Sequence, residues 1–397
     1  MENPEEIKRS WALQSQWQTG PKSVNKLQPP IYSRIAVPFV QTWREQAQPT
    51  LDWGANQFSC YIPEGVRCIS AAYLHIHLPS AQYKAYTGLN IIKDFTLRSA
   101  GQIVYQCEWS QFIADYCESL QEQKLARFAE IYLGGATESA TDGTRDVKLP
   151  LLLPNSTYMR RSNNSAAGHG VFGCFVGNQK IELQLTLNAA VHAAKDANAA
   201  PGSIAGQCSL MFHTVEVPNA LRRKYEDLRG FYNTITRRFT QLTPQWKHYA
   251  TANALVVDSL SQPTGTCTEV MLLAIPHQTD DHRRNYRGYV LPTKFEVVHD
   301  MVVQKSLDSK SKIQTELFTN GFAAPADFPS PARLCFANHC ASDSTNVYTG
   351  GYDMSQASTL QFRFSFDQAV DYRLVAVQIS NTKISQSGVI TSTLDGQ

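Results

Sequence analysis

The chain has 397 residues, of which 43% are hydrophobic and 18% charged, and its formal net charge is +2. That apolar content excludes global disorder, and the near-neutral balance excludes a chain that binds polyanions over its whole surface. The length exceeds what one core usually organises, so two domains are expected.

Residues 1–33 are polar, end near Pro29-Pro30, and read as an arm, helical from Pro4 to Trp17. Their opening lacks the apolar core of a signal peptide, so folding in a reducing compartment is expected. Trp11, Leu13 and Trp17 give the arm adhesive surface. Two readings stand: a disordered terminus, or an anchor to a neighbouring molecule or an inner membrane.

Strand-like runs follow at 34–40, 57–62 and 68–78. In the third, His75 and His77 alternate onto one face of Leu74–Leu78. No Glu follows at the spacing of a cupin metal site, so the pair reads as hydrogen-bond partners of a neighbouring strand. Residues 91–107 read as strand, turn at Ala100-Gly101, strand. Trp109, Phe112 and Tyr116 then fall at helical spacing and predict a helix to about Tyr132. Its aromatics either pack on the chain's own sheet or cover surface completed in an assembly. Strands resume at 147–154, 169–176, 180–187 and 208–217. Ile181–Leu187 alternates most cleanly, with Ile181, Leu183, Leu185 and Leu187 on one face.

Pro218 opens a segment in which Leu221, Tyr225, Leu228 and Tyr232 recur at helical spacing, so 218–239 reads as a helical linker. Arg222, Arg223, Lys224, Arg229, Arg237, Arg238 and Lys247 face only Glu226 and Asp227 between 219 and 247, seven minus two, net +5. This is either contact with an anionic surface or a solvated helix face with pairs such as Arg222–Glu226. Strands return at 252–260, 269–275, 288–292, 294–303, 312–318, 332–337, 359–366 and 373–380.

Short strands separated by Gly, Pro, Asn and Asp, twice over, predict an all-β chain with a few helices in loops and linker. The expected architecture is two consecutive eight-stranded jelly-roll sandwiches, at 34–217 and 240–397. The halves echo one another: 170–188 and 332–366 each run from an apolar strand through a loop to a long alternating strand. The nine cysteines form no CxxC pair and read as small buried hydrophobes. Cys335, His339 and Cys340 lack a second ligand pair. Residues 277–287 group acidic and basic side chains without an apolar seal, and no GxSxG or Walker A motif occurs. No catalysis, cofactor or metal is expected.

Four segments carry a resemblance to the double jelly-roll major capsid proteins of icosahedral double-stranded DNA viruses. They are 95–120, with strand, Gly-Gln turn, strand and aromatic helix; the Pro-flanked strand at 148–161; 332–366; and the closing strand at 372–390. The family's Gly-Gly-Gln at the first turn is here Ala100-Gly101-Gln102. The resemblance implies a structural, non-enzymatic protein of the virion capsid, assembled in the host cytoplasm or nucleus. It implies a homotrimer forming a pseudo-hexameric capsomer, whose partners are neighbouring capsomers, minor capsid or penton proteins, and an internal membrane or viral DNA at the basic linker. The alternative is a glycan-active or glycan-binding two-domain jelly-roll protein.

Overall fold

The structure, a computed structural model, describes residues 40–62, 68–99, 101–108, 130–151, 172–173, 181–196, 199–216, 233–243, 245–260, 265–277, 289–320, 331–338, 349–354, 359–384 and 390–394. The first part of the chain contributes β1 (Val40–Ala47), β2 (Phe58–Tyr61), β3 (Cys68–Ala81), β4 (Ile92–Ser99), β5 (Gln102–Glu108), β6 (Gly143–Leu151), β7 (Phe172–Gly173), β8 (Ile181–Leu187) and β9 (Cys208–Glu216). The second contributes β10 (Asn233–Gln241), β11 (Lys247–Tyr249), β12 (Val256–Leu260), β13 (Thr266–Pro276), β14 (Lys294–His299), β15 (Val302–Leu307), helix α1 (Lys310–Thr319), β16 (Ala332–Cys335), β17 (Ala337–Asn338), β18 (Thr349–Gly350), β19 (Tyr352–Asp353), β20 (Leu360–Ser365), β21 (Val370–Ile384) and β22 (Ile390–Leu394).

Four antiparallel sheets form two sandwiches with one topology. In the first, the order β1-β9-β3-β6 faces β2-β8-β4-β5; in the second, β10-β21-β13-β16 faces β12-β20-β14-β15. Strand for strand these are the same two four-stranded orders, each the interleaved pattern of a jelly roll. The echo between the halves holds for its alternating strands, since β8 and β20 occupy the same place in the two rolls. It fails for the runs before them. Phe172–Gly173 pairs with β3, whereas Ala332–Cys335 is an edge of the second roll, matched in the first by β6.

Local sequence explains most elements. In β8 and β20 every second residue is buried, the signature of a sheet with one wet face. The β4–β5 hairpin closes with Ser99 opposite Gln102, and Gly101 adopts φ +80, the left-handed conformation glycine tolerates. The β14–β15 hairpin turns at Asp300 and Met301 with φ 46 and 69. There Asp300 Oδ1 accepts a 2.7 Å hydrogen bond from the Thr359 N–H, which holds the turn.

Several expectations are corrected: residues 289–292, read within a strand, form none, and 294–303, read as one strand, spans β14, a turn and the start of β15. Residues 312–318, read as a strand, lie in α1. Ile313 and Leu317 are its buried residues, and a spacing of four fits period 2 and period 3.6 alike; Ser309, accepting from the Lys312 N–H, decides for a helix. Residues 233–239 of the expected helical linker are strand β10, paired along its length with β21. The ladder to β21 overrides the weak helical spacing. Strand β1 continues past the expected end at Val40 to Ala47, because an edge strand with one exposed face tolerates its polar sequence. Helix α1 connects β15 to β16, and 109–142 makes the same connection, β5 to β6, in the first roll. Residues 130–132 are helical; Trp109, Phe112 and Tyr116 lie outside the described residues.

Candidate functional site

Two strands of the second roll break the alternating pattern. Residues 267–275 of β13 and 370–378 of β21 are buried without interruption. Their even-numbered members, Val270, Leu272, Ala274, Leu374 and Ala376, belong to the second roll's own core. Met271, Leu273, Ile275, Val375 and Val377, with Phe239 and Tyr289, belong to the cluster that continues through the first roll. The outward face of sheet β10-β21-β13-β16 is therefore a seam between the rolls. A sheet buried on both faces requires an unbroken apolar sequence, and that is why 269–275 and 373–377 read as continuous rather than alternating.

Polar groups in this seam are paired. Arg373 of β21 forms an ion pair with Glu108 at the end of β5, bonds Gln241, and donates from Nε to the Thr243 carbonyl at 3.3 Å. Gln241 Nε2 donates to Glu108 Oε2 at 3.0 Å, closing the network across the two rolls. Asp94 lies opposite Glu108 in the β4–β5 register. Burial pushes the Asp94 carboxyl above its ordinary value, while the Lys93 and Arg373 charges pull it down. Arg333 donates to Glu269 at 2.9 Å with both side chains fully buried. Arg333 is opposite Met271 in the register, so this pair shares the outward face. Buried ion pairs add little net stability but penalise the loss of one partner heavily; Arg373–Glu108 joins the two rolls, and Arg333–Glu269 joins neighbouring strands of the second.

Among the described residues, the corresponding sheet of the first roll carries exposed side chains on its outer face beside partly covered ones. Trp43 of β1 is 55% exposed and lies against His213 of β9 and Tyr73 of β3, with ring centroids at 4.7 and 5.6 Å. Tyr73 stacks on Tyr132 at 5.5 Å. Farther along β3, the His75 and His77 pair meets Asp146 of β6: His77 Nδ1 lies 2.9 Å and His75 Nε2 3.5 Å from its Oδ1. The histidines are cross-strand partners, as their alternation predicts. The His77 hydrogen bond, more than the histidine charges, holds the Asp146 carboxyl below its ordinary value against a push from burial. Further exposed apolar residues cluster in the second roll at Met301, Val302 and Val303, and at Phe318 of α1.

Among the residues singled out by sequence, Arg237 and Arg238 lie on β10, opposite Ile379 and Gln378 of β21. Trp11, Leu13, Trp17, Arg222, Arg223, Lys224 and Arg229 lie outside the described residues, as do His339 and Cys340. The structure thus brings together two sets the sequence did not mark: Glu108 with Gln241 and Arg373, and Arg333 with Glu269. One signal was available, an arginine inside each of the apolar runs 332–337 and 373–380, since a buried guanidinium demands a partner.

No protein-family model matches the chain, and no curated protein matches it in sequence. Solved structures do match it. PBCV-1 VP54, as fitted into a cryo-EM reconstruction of the virophage Sputnik, is similar with a TM-score of 0.63 at 9% identity, covering 91% of this chain and 97% of that chain. The Faustovirus major capsid protein is similar with a TM-score of 0.61 at 9% identity, covering 98% of each chain. The mavirus major capsid protein is similar with a TM-score of 0.59 at 11% identity, covering 95% of this chain and 97% of that chain. At such identities the likeness is one of fold, and with the strand orders above it gives the conclusion: this chain folds as a double jelly roll, the architecture of those viral proteins.

Proposed function

We propose that the protein is the major building block of an icosahedral viral shell and works as a homotrimer without chemistry of its own. The observation that carries this reading is the seam. Two rolls of identical strand order are locked into one body through a sheet buried on both faces. Three such chains place six similar wedges around one axis, a tile with pseudo-sixfold outline. The fold match to capsid proteins along nearly the whole chain supports the same reading.

Pseudo-sixfold packing also assigns a surface. Within a chain, the outward face of the second roll's β10-β21-β13-β16 sheet packs on the first roll. In a trimer the equivalent face of the first roll, β1-β9-β3-β6, meets the second roll of the neighbouring chain. That face carries Trp43, His213 and Tyr73. An exposed tryptophan backed by ordered rings is the kind of residue that dominates a protein interface.

Light scattering on the size-separated full-length protein tests both statements. A trimeric mass is expected, and Trp43→Glu is expected to yield folded monomer with unchanged circular dichroism. A wild-type protein that stays monomeric at every concentration overturns the capsomer reading, and a glycan-array screen of that monomer then tests the lectin alternative. A Trp43→Glu protein that remains trimeric overturns only the assignment of the face.

A further inference from the structure

Three residues far apart in sequence meet at one end of the seam sheet. His248 is on β11, Asp371 on β21, and His277 immediately follows β13. Strand β21 lies between the other two, with His248 opposite Asp371 in register. The His277 N–H donates to the Ala369 carbonyl at 3.3 Å, which extends the β13–β21 ladder by one residue. Both histidines turn Nδ1 to the same carboxylate oxygen, Asp371 Oδ1, at 3.2 Å from His248 and 2.9 Å from His277. The two rings lie 3.8 Å apart between centroids. One ligand atom from each of the three residues lies within 4.8 Å of the other two.

We propose that His248, His277 and Asp371 form a site for one divalent transition-metal ion of the Zn2+ class. Zinc bonds to imidazole nitrogen and carboxylate oxygen are about 2.0–2.2 Å, so the edges of a tetrahedron around it are roughly 3.3–3.5 Å. The two nitrogen–oxygen separations sit a few tenths of an ångström inside that edge, and a small outward shift of the rings admits the ion. Two imidazoles and one carboxylate leave a fourth position for water, the ligand set zinc accepts at open sites. The nitrogens select against Ca2+ and Mg2+, which take oxygen ligands. Asp371 is 5% exposed and its backbone is fixed in the centre of a three-strand ladder, whereas His248 and His277 are 42% and 34% exposed. The carboxylate is thus pre-positioned, and the imidazoles form the solvent side through which the ion arrives. Besides that shift, binding requires that each imidazole carry its proton on Nε2, leaving Nδ1 free for the ion.

The His75–His77–Asp146 group on the first roll provides an internal contrast. Its histidines are two residues apart on one strand, which separates their backbones by roughly 6.4–6.8 Å. Asp146 bridges them, at 2.9 and 3.5 Å. At His248 and His277 the ligands come instead from strands on either side of the aspartate, and so converge.

Zn2+ titration of the metal-free full-length protein by calorimetry, with Co2+ absorption as a second probe, tests the site. Expected is one Zn2+ more per chain in the wild type than in His277→Ala, with at least a tenfold loss of affinity in His248→Ala. The Co2+ form is expected to show the intense visible bands of a four-coordinate ion, absent from His277→Ala but retained in His75→Ala. Each variant's metal-free melting temperature reports whether it is folded. Equal stoichiometry in wild type and His277→Ala overturns the proposal, leaving a hydrogen-bonded triad. Should both alanine variants fail to fold, a wild type without four-coordinate Co2+ bands overturns it alone.

Discussion

Leu272 and Leu273 are adjacent on β13, both fully buried, and point to opposite faces. Leu272 faces the core of the second roll; Leu273 faces the seam. If the seam is a true interior, truncating either side chain removes its transfer free energy and leaves a cavity, at about 2–5 kcal/mol each. If the rolls were beads on a string, Leu273 would face water, and Leu273→Ala would cost no more than about 0.5 kcal/mol. For domains of this size a kcal/mol moves the melting temperature by about 2–4 °C, so both variants should melt roughly 4–20 °C below wild type. Differential scanning calorimetry of the full chain gives the comparison directly. Leu272→Ala calibrates the method, because its environment is the same in either picture. A Leu273→Ala protein that melts with the wild type while Leu272→Ala does not would refute the reading of β13 as a strand buried on both sides. The seam would fall with it.

Two further outcomes are expected. Arg333→Ala strands the buried Glu269 carboxylate and should destabilise by about 3–5 kcal/mol in chemical denaturation, whereas the apolar pair Arg333→Met with Glu269→Leu should be neutral or up to about 4 kcal/mol more stable. Losses in the double variant as large as in the single one would show that the pair contributes net stability. For Asp146, the folded carboxyl titrates below its ordinary value of 3.8, so its contribution is present above that pH and is lost as pH falls through the lowered value. A carboxyl-detected NMR titration should place the Asp146 midpoint below 3.8, and His77→Asn should move it upward; an unchanged midpoint in that variant would assign the shift to something other than His77.

How much of this was legible in the sequence differs from element to element. Strands with one wet face announced themselves: Ile181–Leu187 and Leu360–Ser365 alternate because water lies on one side only, and the alternation survives in the residues. The histidine pair at 75 and 77 was legible for the same reason. Helix α1 was not, since two buried residues four apart satisfy both periods and only the Ser309 cap separates them. Strand β10 is not legible either, because pairing with β21, about 140 residues later, outweighs local spacing.

The sequence by itself determined that this chain is two β-sandwiches in tandem, because alternation, turn residues and short element lengths are local properties. It also recorded that some strands are buried throughout, in the unbroken apolar runs of β13 and β21. Only the tertiary structure decided what covers their second face. It likewise placed Arg373 beside Glu108, 265 residues away, and both histidines beside Asp371. Such contacts are set by sheet order and by the docking of one roll on another. No window of neighbouring residues encodes them, since each partner is chosen by the fold of the whole chain.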